Sequence, residues 1–298
     1  MDKFESMKAF TRVVEAGGFA AAAREMGVTR STVNKLVINL EGHLQTQLLQ
    51  RTTRKVSPTD AGRAFYIRCV NILADVQDAE LALSQLDDNP KGTLRVNAPM
   101  TFGTLHLAPI LSEFMVQYPD IQVELSLNDR MIDPIEEGFD VTLRIAIAPT
   151  SASLVVEDLA TSPLVLCAAP SYLDRAGTPL HPQDLRHHAC LHYGYMSQQR
   201  MWSLIGPDQS YQVGVKGPLC CNNGEVLCEA AIAGLGLVIL PKFIVSEALE
   251  QGLLIPVLEA YQPGILKICA LYPVNRRLST KVTVWTEFLK QKLMARLN

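Results

Sequence analysis

The 298-residue sequence predicts an α/β body preceded by an all-α head and one long connecting helix. Three observations carry this. Apolar residues between Lys3 and Leu44 recur at helical rather than alternating spacing; residues 63–86 contain neither Pro nor Gly; and from Thr93 onward short aliphatic runs alternate with helical patterns, the rhythm of βαβ units. The length suggests about two domains, and 48% hydrophobic residues suffice to build a core in each.

In the head, Phe4, Met7, Phe10 and Val14 predict a helix over residues 3–15, ended by Gly17-Gly18. Ala20 to Met26 reads as a second, short helix closed by Gly27. Thr29 is a candidate N-cap for a third, whose apolar stripe is Val33, Leu36 or Val37, Leu40 and Leu44. The alanines of "FAAAAREMGVTRSTVNKLVINLEGHL" permit a close crossing of these two helices, while Arg30, Ser31, Thr32, Asn34 and Lys35 face outward. Two short helices joined by a Gly-containing turn make a helix-turn-helix, in which the N-terminal end of the second helix meets base edges in the major groove. The bland alternative is a solvated face of a small bundle. Next comes "QRTTRKVS", Gln50 to Ser57, where Arg51, Arg54 and Lys55 surround Thr52 and Thr53 in a strand-like wing suited to phosphates. Charge points the same way. Residues 1–68 hold eleven Lys/Arg against six Asp/Glu, a net of +5, whereas the rest carries sixteen against twenty-four, or -8.

From Thr59 to about Leu86 one long helix is expected. Phe65, Cys69, Ile72, Val76, Ala79, Leu83 and Leu86 are spaced 4, 3, 4, 3, 4, 3, an a/d seam that either pairs with a second copy or packs on its own domain. Asp87 to Gly92 is turn chemistry and marks a domain boundary. Beyond it, strands are expected at Thr93–Val96, Ile121–Leu127, Val141–Ile147, Leu164–Ala169, Leu237–Leu240 and Ile268–Tyr272, with helices at Leu105–Tyr118, Glu225–Ala233 and from about Thr280.

Residues 1–62 resemble the winged helix-turn-helix of LysR-type transcriptional regulators. The resemblance runs through Phe10, Val13, Gly17, Phe19, Ala22-Ala23, Met26, Val33, Leu40-Glu41, Leu44, Leu48-Leu49, Arg51, Arg54 and Thr59-x-Ala61-Gly62. Arg30, Asn34 and Gln45 depart from it, standing where glutamine, serine and glycine are usual. "NAPMTFGTLHLAPIL", "FDVTLRIA", "DLRHHACLHY" and "NNGEVLCEAAIAGLGLVILP" resemble the two-lobed, periplasmic-binding-protein-like effector domain of the same family. The resemblance implies a DNA-binding domain at 1–58, a dimerising linker helix at 59–88 and an effector domain at 93–298, with lobe I at 93–160 plus 267–298 and lobe II at 163–262. It further implies double-stranded DNA and a small-molecule effector as partners, a homodimer or homotetramer, and no catalysis.

For the effector, Pro99 to Gly103 and Asn222 to Glu225 form two strand-to-helix turns whose free N–H groups, with Thr101, Asn222 and Asn223, suit an organic anion. Met100, Phe102 and Tyr195 offer apolar walls, and Arg144 a charge partner unless Glu137 or Asp140 occupies it. Two alternatives stay open in lobe II. His187, His188, Cys190 and His192, with Cys220, Cys221 and Cys228 further along, could serve metal or redox sensing, although no usual zinc spacing is present. A soluble binding protein is the remaining rival. No Gly-rich nucleotide loop or nucleophile elbow argues for an enzyme, and no cofactor is expected. No apolar signal region follows Met1-Asp2-Lys3, the longest apolar run is too short for a bilayer, and the seven cysteines form no regular framework, so a cytoplasmic protein with no membrane partner is expected.

Overall fold

The computed structural model describes residues 2–51, 56–83, 90–130, 132–146, 153–194, 201–274, 276 and 279–297. In the head, α1 (Lys3–Glu15) is capped by the Asp2 carboxylate, which accepts from the Phe4 and Glu5 N–H groups. α2 (Phe19–Glu25) crosses α3 (Arg30–Leu44) on Ala22 and Ala23, both buried. The stripe of α3 resolves as Val33, Val37 and Leu40, all fully buried, with Leu36 and Leu44 only flanking this core. A short antiparallel pair follows, β1 (Leu49–Arg51) with β2 (Val56–Pro58). Thr59 and Gly62 then set the course of α4 (Asp60–Leu83). The Thr59 hydroxyl donates to the Gln47 carbonyl at 2.9 Å and accepts from the Gly62 N–H at 2.9 Å, and a Cβ on Gly62 would collide with the Leu48 carbonyl.

The body is one nine-stranded sheet shared by two lobes. Lobe I contains β3 (Gly92–Ala98), α5 (Met100–Phe102), α6 (Ala108–Gln117), β4 (Ile121–Leu127), α7 (Pro134–Glu137) and β5 (Val141–Ala146). β6 (Leu154–Ala168) crosses into lobe II, which adds α8 (Pro170–Ala176), β7 (Cys190–Tyr193), β8 (Met201–Ile205), β9 (Ser210–Gly214), β10 (Cys220–Cys221), α9 (Gly224–Ile232), β11 (Leu237–Pro241), α10 (Lys242–Glu250) and β12 (Ile255–Pro256). β13 (Ile265–Pro273) returns, and α11 (Thr280–Leu297) closes lobe I. The strand order is β10-β7-β11-β6-β13-β5-β3-β4, with β12 also on β6 and a separate β8-β9 hairpin.

β6 makes the two lobes one object. Its residues 154–163 pair antiparallel with β13, and from Leu164 the same strand pairs with β11. The sequence shows only the part from Leu164 as a strand, because the first half is interrupted by the adjacent Glu157 and Asp158 and by Thr161 to Pro163 and lacks a continuous apolar run. The helix expected from Leu105 begins instead at Met100 and passes through a π turn at Gly103–Leu107 into α6. Pro109 lies just past that turn and has no N–H to donate backward, so the regular α ladder is interrupted there. Lobe I buries Leu94, Phe102, Phe114, Leu143 and Trp285 in one core; lobe II has two, around Trp202 and Leu204 and around Leu191, Leu227 and Leu240. Among the described residues no helix is long and apolar enough to cross a membrane.

Candidate functional site

Two surfaces qualify. The first is the tip of α3. Thr29 Oγ1 accepts from the Thr32 N–H at 3.2 Å and lies 2.8 Å from both the Ser31 and the Thr32 hydroxyl, so the three form a capping network that fixes the first turn. Arg30 in that turn and Lys35 in the next are exposed and have no ion pair among the described residues, while Asn34 is half-buried. The capping role of Thr29 follows the sequence reading; its hydroxyl is thereby occupied. Behind α3, Glu41 Oε1 accepts the Leu48 and Leu49 N–H groups and fastens the entry to the wing. Thr52, Thr53, Arg54, Lys55 and the Arg51 side chain lie outside the described residues.

The stripe on α4 divides. Cys69 is fully buried in the head's own core, and the Phe65 ring packs there at 5.9 Å from Phe10. Cys69 is therefore corrected as a seam position, since it is spent within one chain rather than on a partner helix, and the half-buried Phe65 also joins α4 to α1. Heptad spacing cannot distinguish the two, since both bury the same face. Ile72, 38% exposed, and the half-buried Val76 continue the stripe beyond the head. The Ala79, Leu83 and Leu86 side chains lie outside the described set. Elsewhere on α4, Asn71 donates to the Ile135 carbonyl at 3.3 Å, and the Tyr66 hydroxyl donates to Glu15 at 3.1 Å.

The second surface is a cavity of about 490 Å³ between the lobes. Lobe I contributes Thr101, Phe102, Asp129 and Arg144; lobe II contributes His192, Tyr193, Trp202, Gly224 and Ile244. Thr101 is 6% exposed and its hydroxyl has no hydrogen-bond partner among the described residues. A buried polar atom without a partner costs free energy, so this one is suited to a group that enters the cavity. Arg144 donates to the Arg130 carbonyl at 3.3 Å. Neither carboxylate considered for it forms an ion pair with it among the described residues: Glu137 binds Arg130 at 2.6 Å, although its charge also reaches Arg144, and Asp140 is buried against Arg276 at 3.1 Å and Lys281 at 3.8 Å. Burial lowers the pKa of Arg144, partly offset by the charges of Asp129 and Glu137, and raises that of Asp129, partly offset by the Met100 N–H and then by the Arg144 charge.

Three sequence expectations need correcting. The Met100 N–H is not free for an anion, because Asp129 Oδ1 accepts it at 3.1 Å, and Met100 itself is not part of the cavity wall. Asn222 and Asn223 are likewise off the wall; Asn223 caps α9 by accepting from the Val226 N–H at 3.1 Å, and Gly224 takes the place expected of them. Tyr195 lies outside the described residues. Trp202 and Asp129 were missed. Asp129 follows a strand in a polar stretch, "LNDR", where nothing local distinguishes it from a surface carboxylate.

The histidine and cysteine cluster of lobe II does not form one open site: Cys190 and Cys228 are buried, whereas His187 is exposed and Cys220 and Cys221 are half-buried. Cys190 is buried and its thiol donates to the Leu185 carbonyl at 3.6 Å; His188 Nδ1 lies 3.1 Å from the Tyr172 hydroxyl. Among the described residues no group of three or more His, Cys, Asp or Glu could hold one metal ion.

Residues 4–63 match the model of the bacterial regulatory helix-turn-helix protein, lysR family, and residues 87–294 match the LysR substrate binding domain. The chain is 39% identical over 283 residues to an HTH-type transcriptional regulator of Haemophilus influenzae, covering 95% of this chain and 98% of that protein. It is 34% identical to the HTH-type transcriptional regulator YhjC of Escherichia coli, with 97% of each chain covered. Among solved structures it is similar to CrgA, a LysR-type transcriptional regulator from Neisseria meningitidis, at 29% identity and a TM-score of 0.63, covering 97% of this chain and 98% of that one. With a helix-turn-helix head and a two-lobed substrate-binding body matched in that order along one chain, the protein belongs to the LysR family of DNA-binding transcriptional regulators.

Proposed function

We propose that this regulator reads DNA with Arg30 and its neighbours at the tip of α3, associates through the free part of the α4 stripe into a homodimer or homotetramer, and responds to a small carboxylate-bearing molecule held between its lobes. The observation that carries the reading is that a buried Thr101 hydroxyl, without a partner among the described residues, and the Arg144 guanidinium lie on the wall of one cavity of about 490 Å³. A carboxylate satisfies both groups at once. Arg51, Arg54, Lys55 and Lys35 supply phosphate contacts, while Ser31, Thr32 and Asn34 flank Arg30 at the reading end.

Occupation of the cavity matters to DNA only if the ligand prefers one arrangement of the lobes, since a ligand indifferent to the two shifts nothing. Selection of duplexes from a random pool, followed by titration of Arg30→Ala on the selected site, tests the DNA side. A guanidinium that forks onto a guanine should cost about 1–3 kcal/mol there when removed and little on random DNA. Equal losses on both would reduce Arg30 to a phosphate contact.

A further inference from the structure

The cavity between the lobes is lined by two opposite charges that do not meet. Asp129 follows β4 and Arg144 lies on β5; both are half-buried, both face the cavity, and no ion pair joins them among the described residues. Each is held instead by backbone. Asp129 accepts from the Met100 N–H at 3.1 Å, and Arg144 donates to the Arg130 carbonyl at 3.3 Å. Beside them the Thr101 hydroxyl has no partner among the described residues. The rest of the wall is mainly apolar, with Phe102, Ile145, Trp202 and Ile244 prominent.

We infer that the ligand is a zwitterion, an α-amino acid with an apolar side chain: its carboxylate meets Arg144 and Thr101, its ammonium meets Asp129, and its side chain lies against Trp202 and Phe102. This rests on the cavity being the effector site. A simple organic anion satisfies Arg144 but brings a second negative charge toward a half-buried carboxylate, where like charges are poorly screened. A dicarboxylate meets that repulsion twice. An amine offers Arg144 no anion and the Thr101 hydroxyl no carboxylate. Only a molecule with both charged groups on one carbon answers all three groups, and the apolar wall asks for a carbon side chain rather than further polar groups. Asp129 is then the residue that sets specificity, and the expectation of an organic anion narrows to one that carries its own cation.

The test uses the full-length protein, thermal shift and calorimetric titration, and matched probes. L-phenylalanine, L-leucine, L-isoleucine and L-methionine are each compared with the acid lacking the amine and the amine lacking the acid. At least one amino acid should bind saturably and roughly tenfold or more tightly than either truncated analogue. Asp129→Asn keeps an oxygen for the Met100 N–H and should bring the des-amino acid level with the amino acid. The inference is overturned if no apolar amino acid binds at millimolar concentration, if the des-amino acid binds the unaltered chain equally well, or if Asp129→Asn leaves the preference intact. The comparison on the unaltered chain decides even where the variant fails to fold. Failure of the underlying cleft reading has a different signature: amino-acid binding undiminished in both Thr101→Val and Arg144→Gln would put the site elsewhere. A des-amino acid that binds well and is lost in Arg144→Gln would keep the cleft and discard the zwitterion.

Discussion

The Glu41 carboxylate on α3 accepts the backbone N–H groups of Leu48 and Leu49 on one oxygen, at 2.9 and 3.0 Å. These amides belong to two buried leucines at the entry to β1, so a single side chain of the reading helix positions the wing. Hydrogen bonds to a charged acceptor are worth more than neutral ones, and leaving buried amides unpaired adds its own penalty. Glu41→Ala should cost roughly 2–4 kcal/mol of local stability, and Glu41→Gln, which retains one acceptor oxygen, about 1 kcal/mol. Hydrogen exchange at the Leu48 and Leu49 amides reads this directly; unchanged protection in Glu41→Ala would show that the wing entry is held by other contacts.

Gln45 ends α3 in the left-handed region, φ 50° and ψ 34°. A residue with a Cβ is strained in that conformation, and glycine is not. The conformation is one that favours glycine, and the glutamine that stands there has no structural explanation. Gln45→Gly should raise the stability of the head by about 1 kcal/mol, whereas Gln45→Ala should give no such gain. Thermal melting of both variants checks it, and equal melting temperatures would mean that the left-handed cap carries no strain.

The division of the α4 stripe predicts two different failures. Ile72→Asp with Val76→Asp places carboxylates on the free part of the stripe and should reduce the assembly to smaller species in sedimentation experiments. Cys69→Ser should leave the assembly unchanged and instead destabilise the head by about 1–3 kcal/mol, because a hydroxyl replaces a thiol at a fully buried position of its core. Dissociation caused by Cys69→Ser, or an intact assembly in the double variant, would reverse the assignment.

Burial pushes the thiols of Cys69, Cys167 and Cys190 up to about 12 and those of Cys228 and Cys269 to about 11. Thiolate is the reacting form, so these five should be silent at neutral pH. Of the seven cysteines only Cys220 and Cys221 are half-buried rather than buried. Alkylation at pH 7 should therefore label two sites quickly and the remainder only in denaturant. Rapid labelling of Cys190 or Cys228 would restore redox sensing in lobe II as a rival.

Local chemistry alone makes the head legible in the sequence. Thr29 caps α3, the alanines of α2 pack closely, and Val33, Val37 and Leu40 bury one face, because caps and helical periods act within a few residues of each other. The same holds for β3, β4 and β5, whose apolar runs stop near their expected ends. What the sequence could not decide was which surface each apolar or polar face meets. One heptad stripe on α4 serves the head's core at Cys69 and lies free at Ile72. Asn223, expected at a ligand, caps its own helix instead. Asp129, silent in its polar stretch, reaches back across 29 residues to the Met100 amide and stands with Arg144 on one cavity wall. Periodicity and capping report energies within one element, whereas the cavity's charges are brought together because β4 and β5 pair in parallel on either side of β3, and such long-range pairings leave no local signature.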